Sequence, residues 1–127
     1  MFVYFNNNPR GDTKAGDCVI RAISAVTGES WEKIYADLCA EGFDYGDWGN
    51  NNAVWDIYLR KRGFKRHICP DSCSYCYSIA DFANEYNTGK YLAATGSHVV
   101  AIISGDFYDT FDSGNASVIY YYTKEGE

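Results

Sequence analysis

Apolar residues recur with a helical period in the first half of the chain. Residues 17–28 and 30–42 each place apolar side chains on one face of a helix, and each stretch closes on a glycine. Asp17 and Ser30 precede the two stretches and are predicted to act as their N-caps. A third helix is predicted from near Asn52 to Gly63.

The pattern changes after residue 63. Residues 64–68 ("FKRHI") predict a short strand, and Ser78 followed by Asp81 resembles a capping box that opens a helix ending near Gly89. Four β-rich runs then follow: "KYLAAT", "SHVVAIIS", "FYDTFDS" and "SVIYYYT". Gly105-Asp106 is predicted to be the two-residue hairpin turn between the second and third runs.

This order of elements indicates an α+β fold. We expect N-terminal helices packed on a C-terminal antiparallel sheet of about four strands that follow one another as a meander. The 127 residues, 46% of them hydrophobic, are enough for a single domain, residues 1–127, with its own core.

Composition and charge exclude several classes of protein. No apolar run approaches the ~20 residues that span a bilayer, and the first residues lack the features of a signal peptide, so a cytoplasmic protein without a membrane partner is expected. The net charge of −6 argues against a nucleic-acid partner. The basic run at residues 60–67 is interpreted as a helix C-terminus, where cations suit the helix dipole.

The chain has five cysteines, an odd number that disfavours a disulfide framework. Cys69, Cys73 and Cys76 are close in sequence, and His67 or Cys39 could complete a tetrahedral zinc site with them. Free thiols near a turn, or a labile disulfide, are the alternatives. We therefore assign no metal and no cofactor.

Candidate chemistry centres on Cys18, which opens the first predicted helix, and on His98, which begins a predicted strand. A turn at Gly105-Asp106 would place His98 opposite Ser113, and a one-residue bulge would bring Asp112 onto the histidine. Asp109 lies on the same face but further along the hairpin. A helix N-terminus and an imidazolium both lower the pKa of a thiol. A carboxylate fixes the histidine tautomer, and the backbone N–H of Cys18 can bind an oxyanion.

The blocks "GDCVIRA", "GSHVV" and "YDTFDSG", in this order, resemble the papain-like cysteine peptidase superfamily. The match looks closest to small uncharacterised bacterial and phage proteins that share the three blocks. The resemblance implies a papain-like fold and a peptide or protein substrate. It also implies that Cys18 is the nucleophile, that His98 is the base, and that Asp112 orients His98. The chain contains no Gln, the residue that often completes the oxyanion hole in this superfamily. The nearest polar candidates are Asp12, Thr13 and residues 6–8.

The sequence thus predicts a thiol-dependent hydrolase, a cysteine peptidase or amidase. An amine acceptor in place of water would make it a transferase. Two other interpretations stay open. Cys18 could be a core thiol, since free cysteines are often buried. The chain could also be a non-catalytic papain-like binding protein, such as a phage-encoded inhibitor of a host factor, with exposed aromatic side chains as its contact surface.

Overall fold

The computed structural model describes residues 1–69 and 77–124. Within them the chain is α+β, as predicted, with four helices and six strands. In chain order these are β1 (Phe2–Tyr4), α1 (Cys18–Thr27), α2 (Trp31–Tyr45), α3 (Asn52–Lys61), β2 (Phe64–Ile68), α4 (Ile79–Glu85), β3 (Lys90–Ala94), β4 (Val99–Ile103), β5 (Asp106–Asp109) and β6 (Tyr120–Lys124). None of the helices described is long and apolar enough to cross a membrane.

The signals predicted for the end of α1 and the start of α2 are confirmed. Helix α1 ends at Gly28 in the left-handed conformation, and the Ser30 hydroxyl accepts a hydrogen bond from the Lys33 amide at the start of α2. Helix α2 does not end at Gly42 but continues to Tyr45. Gly42 serves a different purpose, because a Cβ there would lie 2.5 Å from the Asp47 carbonyl oxygen. Its missing side chain lets the following loop pack directly on the helix.

The capping box at the start of α4 is confirmed. The Ser78 hydroxyl accepts from the Asp81 amide, and the Asp81 carboxylate accepts from the Ser78 amide. The helix is shorter than expected and ends at Glu85 rather than near Gly89.

The sheet has more strands than the four expected. Its order is β1-β5-β4-β3-β6-β2, and all pairs are antiparallel except β1 with β5. The expected meander is wrong at its last step, because β6 pairs with β3 and not with β5. Residues 110–119 cross the end of the sheet, where the Val118 amide donates to the Tyr77 carbonyl and the Ile119 amide to the Ala94 carbonyl.

The hairpin of β4 and β5 turns one residue earlier than predicted. Ile103 pairs with Asp106, so the two turn residues are Ser104 and Gly105, with φ angles of 51° and 84°. Two consecutive positive φ angles define a type I′ turn, whose twist matches that of the flanking strands. Moving the turn by one residue moves every cross-strand partner by two residues. Each side chain therefore stays on the same face of the sheet, but a different residue lies opposite it on the neighbouring strand.

Helices cover both faces of the sheet. Helices α1, α2 and α3 share one core cluster with Leu92 and Ala94, whereas α4 packs with Ala93 on the other face. This division follows the alternation of side chains along β3. Helix α1 packs closely against β4. Its first residue, Cys18, thereby lies near the start of β4, which His98 directly precedes.

Candidate active site

The structure brings Cys18 and His98 together, as the sequence predicted. Both line a cavity of about 210 Å³, and both are partly buried. Burial raises the pKa of the Cys18 thiol, but hydrogen bonds with the His98 side chain and the Val99 backbone outweigh it. With the positive charges of His98 and Arg21, they hold that pKa below its ordinary value. The thiol also occupies the first turn of α1, where backbone N–H groups lack helical partners.

His98 is held between a thiol and a carboxylate. Its Nε2 lies 2.6 Å from Asp109 Oδ2, which leaves Nδ1 for Cys18. Burial lowers the pKa of His98, but hydrogen bonds to Asp109 and Cys18 and their charges outweigh it and raise the pKa to about 9. The shifts of the two pKa values therefore both act in favour of a thiolate–imidazolium pair.

The Asp109 side chain is buried and held by hydrogen bonds. It is only 3% exposed, and its carboxylate accepts hydrogen bonds from the Ser113 hydroxyl and the Thr110 amide, both at 2.8 Å. Burial raises the pKa of this carboxyl, but the hydrogen bonds from His98 and Ser113 and the charge of His98 lower it by more. Asp109 is therefore ionised beside the imidazolium and fixes its orientation.

The expectation that Asp112 orients His98 is wrong in this structure. The Asp112 side chain is exposed, and its Oδ1 accepts a hydrogen bond from the Gly114 amide at 3.0 Å. The turn at Ser104-Gly105 explains the difference. It puts Phe111, not Ser113, opposite the histidine, with ring centroids 5.1 Å apart. Asp109 then becomes the diagonal neighbour of His98 on the same face.

The Asp109 carboxylate belongs to a buried ion-pair network with Arg21 and Asp17. Arg21 is 6% exposed and binds Asp17, and its second terminal nitrogen lies 3.7 Å from Asp109 Oδ1. The prediction that Asp17 caps α1 with its side chain is wrong, since that side chain makes no capping hydrogen bond. It accepts instead from Asn8 Nδ2 at 3.0 Å and from Trp31 Nε1 at 2.9 Å. Its charge is thus paired with that of Arg21.

Two asparagines that sequence reasoning did not single out line the cavity of Cys18 and His98. They are Asn50 and Asn52, in the loop before α3 and at its first residue. Asn52 Oδ1 accepts from Trp55 Nε1 at 3.1 Å. None of the candidates proposed from the sequence as oxyanion donors (residues 6–8, Asp12 and Thr13) lines this cavity.

A larger apolar cleft adjoins the first cavity. It measures about 500 Å³, and we call it the aromatic cleft; its side-chain walls are formed chiefly by Ile20, Trp31, Tyr35, Leu38, Cys39 and Trp48. Gly16 and Asn50 line both cavities and therefore mark their junction. Trp48 forms part of this wall although its side chain is 83% exposed.

The second cysteine cluster is described only in part. Cys69 is buried, which raises the pKa of its thiol, and Cys39 lies in the aromatic cleft. His67 stacks on Tyr121, with ring centroids 5.0 Å apart. Cys73 and Cys76 lie outside the described residues. Within residues 1–69 and 77–124, no three side chains form a group that could hold a metal ion.

No protein-family model, curated protein or solved structure matches this chain. The assignment of function therefore depends on the geometry and chemistry of the site.

Proposed function

We propose that this protein is a thiol-dependent acyl-transfer enzyme, a cysteine peptidase or amidase on a papain-like scaffold. The observation that carries the proposal is the alignment of Cys18, His98 and Asp109, with the pKa of the thiol lowered and that of the imidazole raised. Structural cysteines lack such a partner, whereas nucleophilic thiols require it. A reactive thiolate also suits a reducing compartment, so we place the enzyme in the cytoplasm.

The residues support a two-step reaction. The Cys18 thiolate attacks the carbonyl carbon of an amide, and a C–S bond forms as the carbonyl oxygen becomes an oxyanion. When the oxyanion collapses, the C–N bond breaks, and the His98 imidazolium gives its proton to the leaving amine. Water then attacks the thioester while His98 accepts a proton from it, and the C–S bond breaks to release the acid and the thiolate.

The oxyanion needs hydrogen-bond donors close to the thiolate. The backbone N–H of Cys18 opens α1 and is one donor. We assign the second to the side-chain amide of Asn50, because this residue lines the cavity at the junction beside Gly16. Asn52 also lines this cavity but not the aromatic cleft, and it is the alternative donor, since its Oδ1 accepts from the Trp55 indole and its Nδ2 is the group that would donate.

The test measures the rate of Cys18 alkylation by iodoacetamide as a function of pH, read by peptide mass spectrometry. We expect wild-type Cys18 to react well below the ordinary thiol pKa of ~8.5, and His98→Ala to remove this reactivity. A p-nitrophenyl acetate assay adds the acyl step, with a burst and a thioester on Cys18 that Cys18→Ser abolishes. A Cys18 that is inert, or indifferent to His98, would overturn the proposal.

One observation favours a non-catalytic binding protein as the second candidate. Phe43 and Trp48 are 87% and 83% exposed on and just after α2, and large aromatic side chains are enriched at protein interfaces. A binding protein tolerates Cys18→Ser without loss of function, so an inert Cys18 would direct the work to this alternative.

A further inference from the structure

A buried positive charge lies beside the proposed catalytic residues. Arg21 belongs to α1, three positions after Cys18, and is only 6% exposed. Residues three positions apart share one face of a helix, so Arg21 lies on the same face of α1 as the thiol. Because burial of an unpaired guanidinium is costly, the groups that contact Arg21 indicate what it does.

Asp17 fixes the position of the guanidinium. One terminal nitrogen of Arg21 binds Asp17 Oδ1. The other carboxylate oxygen, Oδ2, accepts hydrogen bonds from Asn8 Nδ2 at 3.0 Å and from Trp31 Nε1 at 2.9 Å. Donors from three parts of the chain thus hold Asp17, and Asp17 in turn holds the guanidinium.

The other terminal nitrogen of Arg21 faces the orienting carboxylate. It lies 3.7 Å from Asp109 Oδ1, the oxygen that also accepts from the Thr110 amide. The second oxygen, Oδ2, binds His98 and the Ser113 hydroxyl. Arg21 and His98 therefore share one carboxylate through different oxygens. Since both are cations, Arg21 offsets part of the attraction between Asp109 and the imidazolium and repels the imidazolium directly.

The same charge acts on the thiol. Burial raises the pKa of Cys18, and the charge of Arg21 is among the effects that lower it, after the hydrogen bonds with His98 and the Val99 backbone and the charge of His98. Little water screens a charge in a buried position. Arg21 thus favours the thiolate and disfavours the imidazolium, so it promotes the loss of a proton from both groups.

Five ionisable groups meet around α1. This helix packs on α2, β3, β4 and β5, and the contacts described for Arg21 include no charged side chain of α2, β3 or β4. Tyr108 on β5 packs against the same core cluster. The five groups alternate in sign along their contacts when the thiolate and the imidazolium are both present: Asp17, Arg21, Asp109, His98 and Cys18. Without Arg21, three negative groups would face a single positive one.

Stability alone does not account for this arrangement. A buried ion pair contributes little net free energy compared with well-packed apolar residues, because the cost of desolvation offsets the attraction. Elsewhere α1 buries apolar side chains such as Ile23 and Val26. A side chain of that kind at position 21 would avoid the desolvation but would exert no charge on Cys18 and His98.

From these contacts we infer that Arg21 is a positioning residue of the proposed enzyme: held by Asp17, its charge sets the pH range in which the thiolate and the imidazolium coexist. The inference rests on the proposed function and adds to it how the working range of the site is lowered towards neutral pH. Arg21 acts through Asp109 and through its charge on His98 and Cys18.

The test measures two independent titration midpoints. The first is the midpoint of Cys18 alkylation by iodoacetamide against pH, read by peptide mass spectrometry. The second is the midpoint of the His98 imidazole, read by NMR from the chemical shifts of its ring protons. The chain has only two histidines, so His98→Gln identifies the signal. In the wild-type protein we expect His98 to titrate at a pKa of about 9.

Substitutions of opposite sign should move the midpoints in opposite directions. Arg21→Met removes the positive charge and should raise both midpoints by about one pH unit, which is about tenfold in each ionisation constant. Asp17→Asn removes the negative charge that offsets Arg21, and should lower both midpoints. Arg21→Lys keeps the charge and should leave both close to those of wild type.

Arg62→Met is the matched control. Arg62 is also partly buried and lies within ion-pair distance of two carboxylates, those of Glu29 and Asp37, but it does not line the cavity of Cys18 and His98. Both midpoints should be those of wild type. Circular dichroism verifies the fold of every variant across the pH range, and if Arg21→Met does not fold, Asp17→Asn and Arg21→Lys decide the question.

The direction of the shifts separates an effect of charge from one of structure. Displacement of Asp109 would weaken its hold on His98, and would lower the His98 midpoint while it raises that of Cys18. Such opposite shifts in Arg21→Met would overturn the inference. So would an Asp17→Asn that leaves the midpoints unchanged or raises them, or an Arg21→Lys that shifts them as Arg21→Met does. A wild-type Cys18 that is inert towards iodoacetamide refutes the proposed function instead, and the His98 midpoints still show whether Arg21 acts on the histidine.

Discussion

Replacing Asp109 by Asn tests the electrostatics of the site with the least change of shape. The substitution removes the charge that faces His98 Nε2 at 2.6 Å and keeps a side chain of nearly the same size. Because Asp109 is 3% exposed, little water screens its charge. The effect on His98 should therefore be large and local.

The magnitude follows from the pKa of the histidine. A rise from 6.5 to about 9 corresponds to about 3 kcal/mol in favour of the imidazolium, shared between Asp109 and Cys18. Burial acts in the opposite direction, so without the Asp109 charge His98 is expected to be neutral at pH 7. The thiol then loses its counterion, and at a pKa of ~8.5 or above only about 3% of it is ionised at pH 7.

A fully ionised thiol would react up to about 30-fold faster than a thiol that is only about 3% ionised. The lower intrinsic nucleophilicity of a low-pKa thiolate reduces this difference in rate. We therefore expect Asp109→Asn to slow Cys18 alkylation at pH 7 on the order of tenfold, and to shift the midpoint of its pH profile upwards.

The assay is the rate of iodoacetamide modification of Cys18 between pH 4 and 10, read by peptide mass spectrometry. Asp112→Asn is the matched control, because Asp112 is exposed and binds only the Gly114 amide among the contacts described for its side chain. It should leave the profile unchanged. If Asp112→Asn slows the reaction as much as Asp109→Asn, or Asp109→Asn has no effect, the assignment of the orienting carboxylate is refuted.

Four further predictions concern stability and the rate of acylation. Arg21→Met leaves the buried Asp17 carboxylate without its cation and removes the positive charge 3.7 Å from Asp109, and should lower the free energy of unfolding in urea by about 3 kcal/mol or more. The pKa of His98 is raised in the folded protein, so its contribution to stability is complete below pH ~6.5 and is lost as the pH rises through about 9. The difference in urea midpoint between wild type and His98→Gln should therefore shrink between pH 6 and pH 10, and a constant difference would contradict this. Gly49→Ala should destabilise the protein by about 1–3 kcal/mol, because its Cβ would meet backbone at 2.7 Å. Gly16→Ala, whose Cβ meets nothing, should melt close to wild type. Asn50→Ala should lower the acylation rate with p-nitrophenyl acetate about a hundredfold or more if it donates to the oxyanion, and Asn52→Ala should not.

The sequence was sufficient to predict the parts of the site that begin an element. Cys18 opens an amphipathic helix that ends at Gly28, and His98 directly precedes a strongly apolar strand. Both positions follow from periodicity and local signals, which depend on nearby residues. The capping box at Ser78 was predictable for the same reason.

The choice between two acids was not predictable, because it depends on one turn. Ser104-Gly105 and Gly105-Asp106 are both credible two-residue turns in the sequence, and they differ by two residues in cross-strand register. Serine at a positive φ of 51° is uncommon, which favoured the wrong choice. Asp109 and Asp112 exchange roles with that choice.

Long-range pairing was also beyond the sequence signals. Strand β1 is three residues long and pairs in parallel with β5, about a hundred positions away in the chain. The pairing of β6 with β3 depends on how residues 110–119 cross the sheet end. Asn50 and Trp48 belong to a loop whose position is set by contacts with α2, so no local pattern marks them.

The proposed nucleophile and its partners lie far apart in the chain, and this affects when the site can form during synthesis. Cys18 leaves the ribosome 80 residues before His98 and 91 before Asp109. Until β4 and β5 pair and pack on α1, Cys18 is an ordinary thiol without a base. Contacts this distant in sequence form late in folding, since the chain between them must first lose its entropy. The lowered pKa of the Cys18 thiol is consequently a property of the completed fold, and an emerging or misfolded chain lacks the proposed nucleophile.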